Sequence, residues 1–354
     1  MAPGVPESLK AVGSFKSVLR FKELKDCMKH YSKIFLMTGT VVLVLAANAV
    51  AVAETTKPFQ GITLRHERLT EPRQIDVHVV RVDLRAPGIR FKVTESSRPG
   101  ESRLTTVRDS LAKEKARDAA ACLAVNGAFF TFSPKTGIYP PHCYIEGIAA
   151  SEGELYSAWE DIAIPFPAFN LSKDNVPSIL DKQEVIPNDR YRSVLTDMEH
   201  RQTWEVALGL LGRYLSNYPE LPDDDISGHF YNAISGSHRL VRSGTNTMDI
   251  TSYPKNDEPH PRTGIGYGPG FLVIVVVDGR NPGHSLGVTC PELADLLIKE
   301  GVVEAVNWDG GGSTTLAIAD PIPRLLNRPV GVKGRPGTER PVGASLIIFA
   351  NPGN

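Results

Sequence analysis

Alternation of apolar and polar positions first appears at Ile75–Leu84 (I-D-V-H-V-V-R-V-D-L), the period-two pattern of a half-buried strand. Ala86–Pro87–Gly88 then turns the chain into a second strand, Ile89–Thr94. Thr106 and Asp109 stand at capping-box spacing, with Asp in place of the usual Glu, and predict a helix through V-R-D-S-L-A-K-E-K-A-R. Ala119–Val125 is a short apolar run, read as a buried strand that leads straight into Asn126–Gly127–Ala128–Phe129–Phe130. Order returns at Phe271–Asp278 (F-L-V-I-V-V-V-D), whose unbroken apolar run suits a central strand. A second capping box, Thr289 with Glu292, has Pro291 inside its first turn. It opens a helix with Leu293, Leu296 and Leu297 on one face, and Gly301 stops it. Val302–Asn307 and Thr314–Ile318 read as strands on either side of a triple-glycine turn.

These elements predict an α+β fold in which mixed or antiparallel sheets pack with helices. Both halves run strand, turn, capped helix, short strand ending Ala-Val-Asn, glycine turn, strand. An internal pseudo-repeat and a coincidence of two short matches are the alternatives. A repeat requires Asn126 and Asn307 to reach the same end of adjoining sheets. Residues 151–225 hold Pro-rich turns, one helix expected around Glu205–Leu215 and the acidic tract Asp223–Asp225. They read as an insertion or variable loops on the core domain.

The N-terminus carries Lys29, His30 and Lys33, then an apolar stretch from Ile34 that ends in Ala51–Val52–Ala53. That shape predicts a secretory signal over residues 1–53, cleaved after Ala53, with the mature domain over 54–354. Met28 alone would open a compact signal of normal shape, which leaves residues 1–27 open to being a start-site misassignment. An uncleaved anchor is the alternative, since the stretch is near the ~20 residues a span needs. The small-residue ending favours cleavage, so the protein is expected to be exported, periplasmic or extracellular, with no lasting membrane anchor.

A formal net charge of −1 removes any general electrostatic reason to bind nucleic acid or anionic membrane. Any anion must therefore be held by a local site. Cys122, Cys143 and Cys290 would remain after signal removal, an odd number that permits one intrachain disulfide at most. The absence of a C-x-x-C pair argues against a cysteine zinc site.

Asn307–Trp308–Asp309–Gly310–Gly311–Gly312–Ser313–Thr314–Thr315 is the strongest chemical signal. Consecutive glycines after a buried strand permit positive φ and keep side chains clear of a ligand. Their N–H groups can form an anion-binding concavity, and Trp308 would add an aromatic at its lip. A hairpin turn, with Asp309 bonding its own backbone, is the bland alternative. Asn126 and Gly127 offer an amide at a strand end, or a simple strand terminator. Arg262 in P-R-T-G-I-G-Y has the planar guanidinium suited to phosphate or carboxylate, although most arginines form surface ion pairs. Asp278 and Arg280 close the apolar strand, and Arg340 precedes the last one.

In this order the motifs N-G-A-F-F, R-T-G-I-G, V-D-G-R, G-V-T-C-P-E-L-A and N-W-D-G-G-G-S resemble the phosphodiester glycosidase family. The resemblance spans roughly Val79–Phe349 and is strongest over Pro261–Leu316; Trp308 departs from the family's usual aliphatic residue. It implies an exported hydrolase that cleaves the glycosidic bond of sugar-1-phosphodiesters, in cell-surface or extracellular polysaccharide. It needs no cofactor or metal. Asp309, with Glu292 and Asp278, would be catalytic carboxylates. Glu292 is otherwise a helix cap and enters this set by the resemblance alone. Asn126, Gly127, Arg262, Arg280, Asn307, Gly310, Gly311, Gly312, Ser313 and Arg340 would bind substrate. Ser313 lacks a G-x-S-x-G elbow and is not expected to be a nucleophile. Two other classes compete: a non-catalytic exported module that binds anionic polysaccharide, and a metal-dependent phosphodiesterase. The second would call for an H-x-H or H-E-x-x-H cluster, which the nine histidines do not form.

Overall fold

The computed structural model describes residues 50–96, 102–131, 142–159, 166–185, 227–248 and 257–353. Most of the expected signal segment, the helix expected at Glu205–Leu215 and the tract Asp223–Asp225 lie outside them. In chain order the strands are β1 (Val50–Phe59), β2 (Ile62–Leu69), β3 (Ile75–Asp83), β4 (Arg90–Val93), β5 (Ser102–Arg103), β6 (Ala121–Asn126), β7 (Phe130–Thr131), β8 (His142–Ile145), β9 (Ala149–Ser151), β10 (Glu154–Ser157), β11 (Ala168–Leu171) and β12 (Pro177–Leu180). They continue with β13 (Asn232–Ser235), β14 (His238–Arg242), β15 (Thr245–Asn246), β16 (Arg262–Gly268), β17 (Phe271–Val277), β18 (Glu304–Trp308), β19 (Leu316–Ala319), β20 (Pro323–Leu325) and β21 (Ser345–Phe349). Among the described residues two helices exceed a single turn, α1 (Val107–Arg117) and α2 (Cys290–Lys299).

The fold is therefore mainly β, which corrects the α+β expectation. Both expected helices form, but each covers only one outer face of a sheet. Strands that the hydrophobic pattern did not reveal supply much of the remainder. Within 151–225 the chain forms β10, β11 and β12. β11 is buried at all four positions and so shows no alternation to read.

One sheet has eight strands, in the order β1-β2-β3-β17-β16-β18-β14-β15. A second, β20-β19-β6-β21-β4, packs against it, and a third runs β10-β9-β13-β11-β12. The side-chain period of two divides β3 cleanly. Val80 and Val82 enter the large core shared with Leu123, Val125, Leu346 and Ile348 of the second sheet and Phe169 of the third. Ile75, Val77 and Val79 face the other way, onto Leu293, Ala294 and Leu297 of α2. Helix α2 has its reciprocal cap: Glu292 N donates to Thr289 Oγ1 at 3.2 Å and Thr289 N donates to Glu292 Oε2 at 2.8 Å. Gly301 ends it at φ +80°, the left-handed conformation a glycine stop supplies. Helix α1 is capped by Thr106, which accepts from Asp109 N at 3.1 Å, and buries Val107 and Leu111 on the outside of the second sheet. Cys122, Cys143 and Cys290 are all buried, and none of them is in a disulfide.

Candidate active site

Strands β6 and β18, the two that follow the helices and carry Ala-Val-Asn, end beside each other. Asn126 Nδ2 donates to Asp309 O at 2.6 Å, and Asp309 N donates to Gly127 O at 2.9 Å. The Asn126 amide oxygen accepts from Thr263 Oγ1 at 2.8 Å and from Thr315 N at 3.0 Å. Both ends of this wholly buried amide are thus committed to protein groups. Asn126 and Gly127 hold the glycine loop to β6 and β16 and thereby position Asp309.

The Asp309 carboxylate is buried. Arg340 Nη2 donates to its Oδ2 at 3.1 Å, while Arg340 Nε and Nη2 donate to Ser313 Oγ at 2.8 and 2.5 Å. With Ser313 Oγ accepting twice from Arg340, its own proton is directed to Asp309. Burial pushes the Asp309 carboxyl above the ordinary carboxylate range, against Arg340, Ser313 and the Gly310 N–H, which pull it down. Desolvation outweighs the ion pair here.

The three glycines make room for this arrangement. A Cβ on Gly310 would lie 2.7 Å from Pro261 O, and one on Gly311 would lie 3.0 Å from Arg280 Nη1. A Cβ on Gly312 would press on Arg340 Cδ at 3.3 Å. Gly311 also sits at φ +60°. Four N–H groups of the loop are already occupied: Gly310 donates to the Asp309 carboxylate, Gly311 to Pro261 O, Ser313 to Gly310 O and Thr314 to Gly311 O. The loop therefore offers fewer free donors than a backbone nest would, and the cationic groups beside it are side chains. Arg280 is exposed, holds a positive φ of 54° and donates from Nε to His260 Nδ1 at 3.4 Å.

Other expected site residues lie differently. Arg262 is buried on the α2 side of the sheet, donating to Val288 O at 2.7 Å and Glu258 O at 3.1 Å. Burial lowers its pKa. Asn307 also faces away from Asp309, with Nδ2 on Ser237 Oγ at 2.9 Å. Glu292 is occupied by its cap and by an ion pair with Arg73. Asp278 accepts from Asn327 Nδ2 at 2.8 Å and Arg328 N at 2.9 Å, with His284 Nε2 at 2.9 Å. Trp308 is fully buried, edge-on to Phe169 at 6.0 Å, so it belongs to the core and not to the lip expected of it. Thr263, which bonds Asn126, was not singled out in the sequence, although it sits inside the R-T-G-I-G motif.

The order of these motifs along the chain agrees with what comparison finds. The family model for phosphodiester glycosidases matches residues 119–349, well over half of the chain. The chain belongs to the phosphodiester glycosidase family. N-acetylglucosamine-1-phosphodiester alpha-N-acetylglucosaminidase from Homo sapiens is 31% identical over 123 residues, and the Bos taurus protein 30% over the same length. An SPbeta prophage-derived uncharacterized protein of Bacillus subtilis is 38% identical over 73 residues. The aligned stretches span 11–23% of these relatives and 20–31% of this chain. Among solved structures, the catalytic domain of the zebrafish enzyme, auto-inhibited by its pro-peptide, has a TM-score of 0.52 at 20% identity. That match covers 84% of this phosphodiester glycosidase family member and 88% of the zebrafish chain, and shows a shared fold. A hypothetical protein from Synechocystis has a TM-score of 0.53 at 15% identity, covering 85% of this chain and 64% of its own.

Proposed function

We propose that the protein hydrolyses the bond between the anomeric carbon and the phosphate oxygen of sugar-1-phosphodiesters. The observation that carries this is the buried Asp309 carboxylate, bridged to Arg340 and Ser313, with the exposed Arg280 guanidinium lying along the same glycine loop. A phosphate monoester is a good leaving group and departs with the bonding electron pair, so strong protonation of the leaving oxygen is less necessary than for an ordinary glycoside. Water supplies the new oxygen on the sugar, and its proton passes to Asp309 or to solvent. Positive charge develops on the sugar ring as the bond breaks. A desolvated carboxylate is held at a disadvantage until such a cation forms beside it, so the interaction grows toward the transition state. Arg280 and Arg340 would hold the phosphate, which is charged throughout.

Export fits this activity, and the N-terminal signal pattern supports it. No helix among the described residues is long and apolar enough to cross a membrane. An exported enzyme of this kind would meet its substrate in cell-surface or extracellular polysaccharide.

The deciding experiment incubates purified protein with a panel of sugar-1-phosphodiesters in water enriched in oxygen-18. The label is expected in the released sugar, with an unlabelled phosphate monoester. Label in the phosphate would mean P–O cleavage, and tight binding of every phosphodiester without turnover would mean a binding module; either result rejects the proposal.

A further inference from the structure

Strands β2 and β3 lie outside the residues matched to the family, yet they bring together a group of side chains that the glycosidase chemistry does not use. On the face that carries Val82 and Val80 toward the core, the antiparallel register sets His66 directly opposite His78, and Arg68 opposite Asp76. The two imidazoles stack with ring centroids 4.3 Å apart and planes 2° from parallel. Their Nε2 atoms converge on one carboxylate oxygen: His66 lies 2.8 Å and His78 3.2 Å from Asp76 Oδ1. The three atoms all fall within 4.8 Å of one another.

The structure assigns His66 Nε2, His78 Nε2 and Asp76 Oδ1, we propose, to a binding site for a divalent transition metal of the zinc class. A cation about 2.0–2.1 Å from each imidazole nitrogen and carboxylate oxygen separates neighbouring ligand atoms by roughly 3.3 Å, close to the 3.2 Å between His78 Nε2 and Asp76 Oδ1. The two rings, stacked 2° from parallel, turn out of that stack for both Nε2 lone pairs to meet the ion. The ligand set of two imidazoles and one carboxylate suits zinc, copper or nickel, whereas calcium and magnesium call for more oxygen donors. Arg68 Nε donates to Asp76 Oδ2 at 3.0 Å, which turns Oδ1 toward the imidazoles. That guanidinium also offsets the carboxylate charge, which disfavours hard cations further. His284 stands on the far side, 4.0 Å from Asp76 Oδ2, and is engaged by Asp278 instead. The oxygens of Asp278 also accept from Asn327 and Arg328, so this pair stays outside the ligand set.

A cavity of about 340 Å³ adjoins the group, with both His66 and His78 in its lining beside Glu54, Arg65, Asp320 and Arg324. Three protein ligands next to open space leave a coordination position for water or a small anion, the pattern of a zinc site that is not purely structural. In the absence of metal the same geometry would be two imidazoles donating to one oxygen, and the test separates the two.

Tag-free full-length protein is stripped with a chelator and titrated calorimetrically with Zn²⁺. One equivalent per chain is expected, with affinity weakened more than about tenfold in His66→Gln and His78→Gln and retained in His284→Gln. His66 is only partly buried, so its variant should fold, which circular dichroism without metal will check. Zn²⁺ should raise the wild-type melting temperature and leave that of His66→Gln unmoved. Bound Cu²⁺ supplies a readout that needs no variant, since its paramagnetic resonance should show nitrogen coupling from two imidazoles. Three results would overturn the assignment: no stoichiometric zinc in the wild type, undiminished binding in both strand variants, or loss in His284→Gln with retention in His66→Gln.

Discussion

Asp309 is ionised only against the cost of its burial, and that has two measurable consequences. Asp309→Asn is nearly isosteric and should lower kcat by ~10²–10⁴-fold with KM little changed. A full-activity variant, or one that fails only by unfolding, would pass the carboxylate role to another residue. The sign of the pH dependence follows from burial raising this carboxyl in the folded state. Activity that needs the ionised form should fall off, as pH is lowered, above the ~3.9 of a free aspartate. Stability runs the other way: the folded protein binds this proton more tightly, so the Asp309 contribution is lost as pH rises through its folded pKa. The variant should abolish both trends. The arginines divide similarly. Arg280→Ala should raise KM by ~10–100-fold with a smaller effect on kcat, as expected for a ligand to a group charged in ground and transition states alike. Arg262→Ala instead frees two backbone carbonyls under α2 and should act mainly on stability, by about 1–3 kcal/mol. Steady-state kinetics beside thermal denaturation will tell these apart. The sequence marked Asp309, Ser313 and Arg340 as site residues, but it could not tell a guanidinium that faces substrate from one tied to its own backbone. That difference rests on which carbonyls lie within reach, and Val288 and Glu258 become neighbours of Arg262 only in the fold.

The glycine loop shows how little of its use is visible as an element. From the sequence it suggested a cradle of N–H groups, yet the 3₁₀ turn at Gly311–Ser313 occupies two of them internally and Pro261 O takes a third. Its glycines serve chiefly to let Pro261, Arg280 and Arg340 approach. Gly311→Ala would place a Cβ against Arg280 and force a left-handed φ on a side-chain-bearing residue, at a cost of about 1–2 kcal/mol. KM should rise with the Arg280→Ala effect, and the two substitutions combined should be less than additive. Full additivity would separate the loop from that arginine. The two capped helices were legible because their signals are local: Thr289, Glu292 and Gly301 lie within one short stretch. The Asp76–Val77–His78 spacing is equally local, but its meaning depends on His66 standing opposite, and register between strands is set by the whole sheet.

At the scale of the molecule, β17 is legible from its apolar run and β3 from its alternation, although Ile75–Val80 of β3 is buried on both faces and not half-buried. The class is not legible, because short fully buried strands such as β11 and β13 lack a period. The edge strand β1 bears on processing. If the signal is cut after Ala53, Glu54–Phe59 remain paired with β2, including Glu54 opposite His66 and Thr56 opposite Leu64. N-terminal sequencing of mature protein should therefore begin at Glu54, and intact Met28–Ala53 in a soluble cytoplasmic pool would reject export. The three thiols lie in β6, in β8 and at the start of α2, each in a different part of the structure. Burial pushes Cys122 and Cys143 up to about 12 and raises Cys290 as well. Only a thiolate reacts with an alkylating reagent, so none should be modified until its own surroundings open. Pulsed alkylation followed by mass spectrometry therefore turns the cysteines into three separate clocks, each timing how often one sheet or helix breathes while the rest of the protein stays folded.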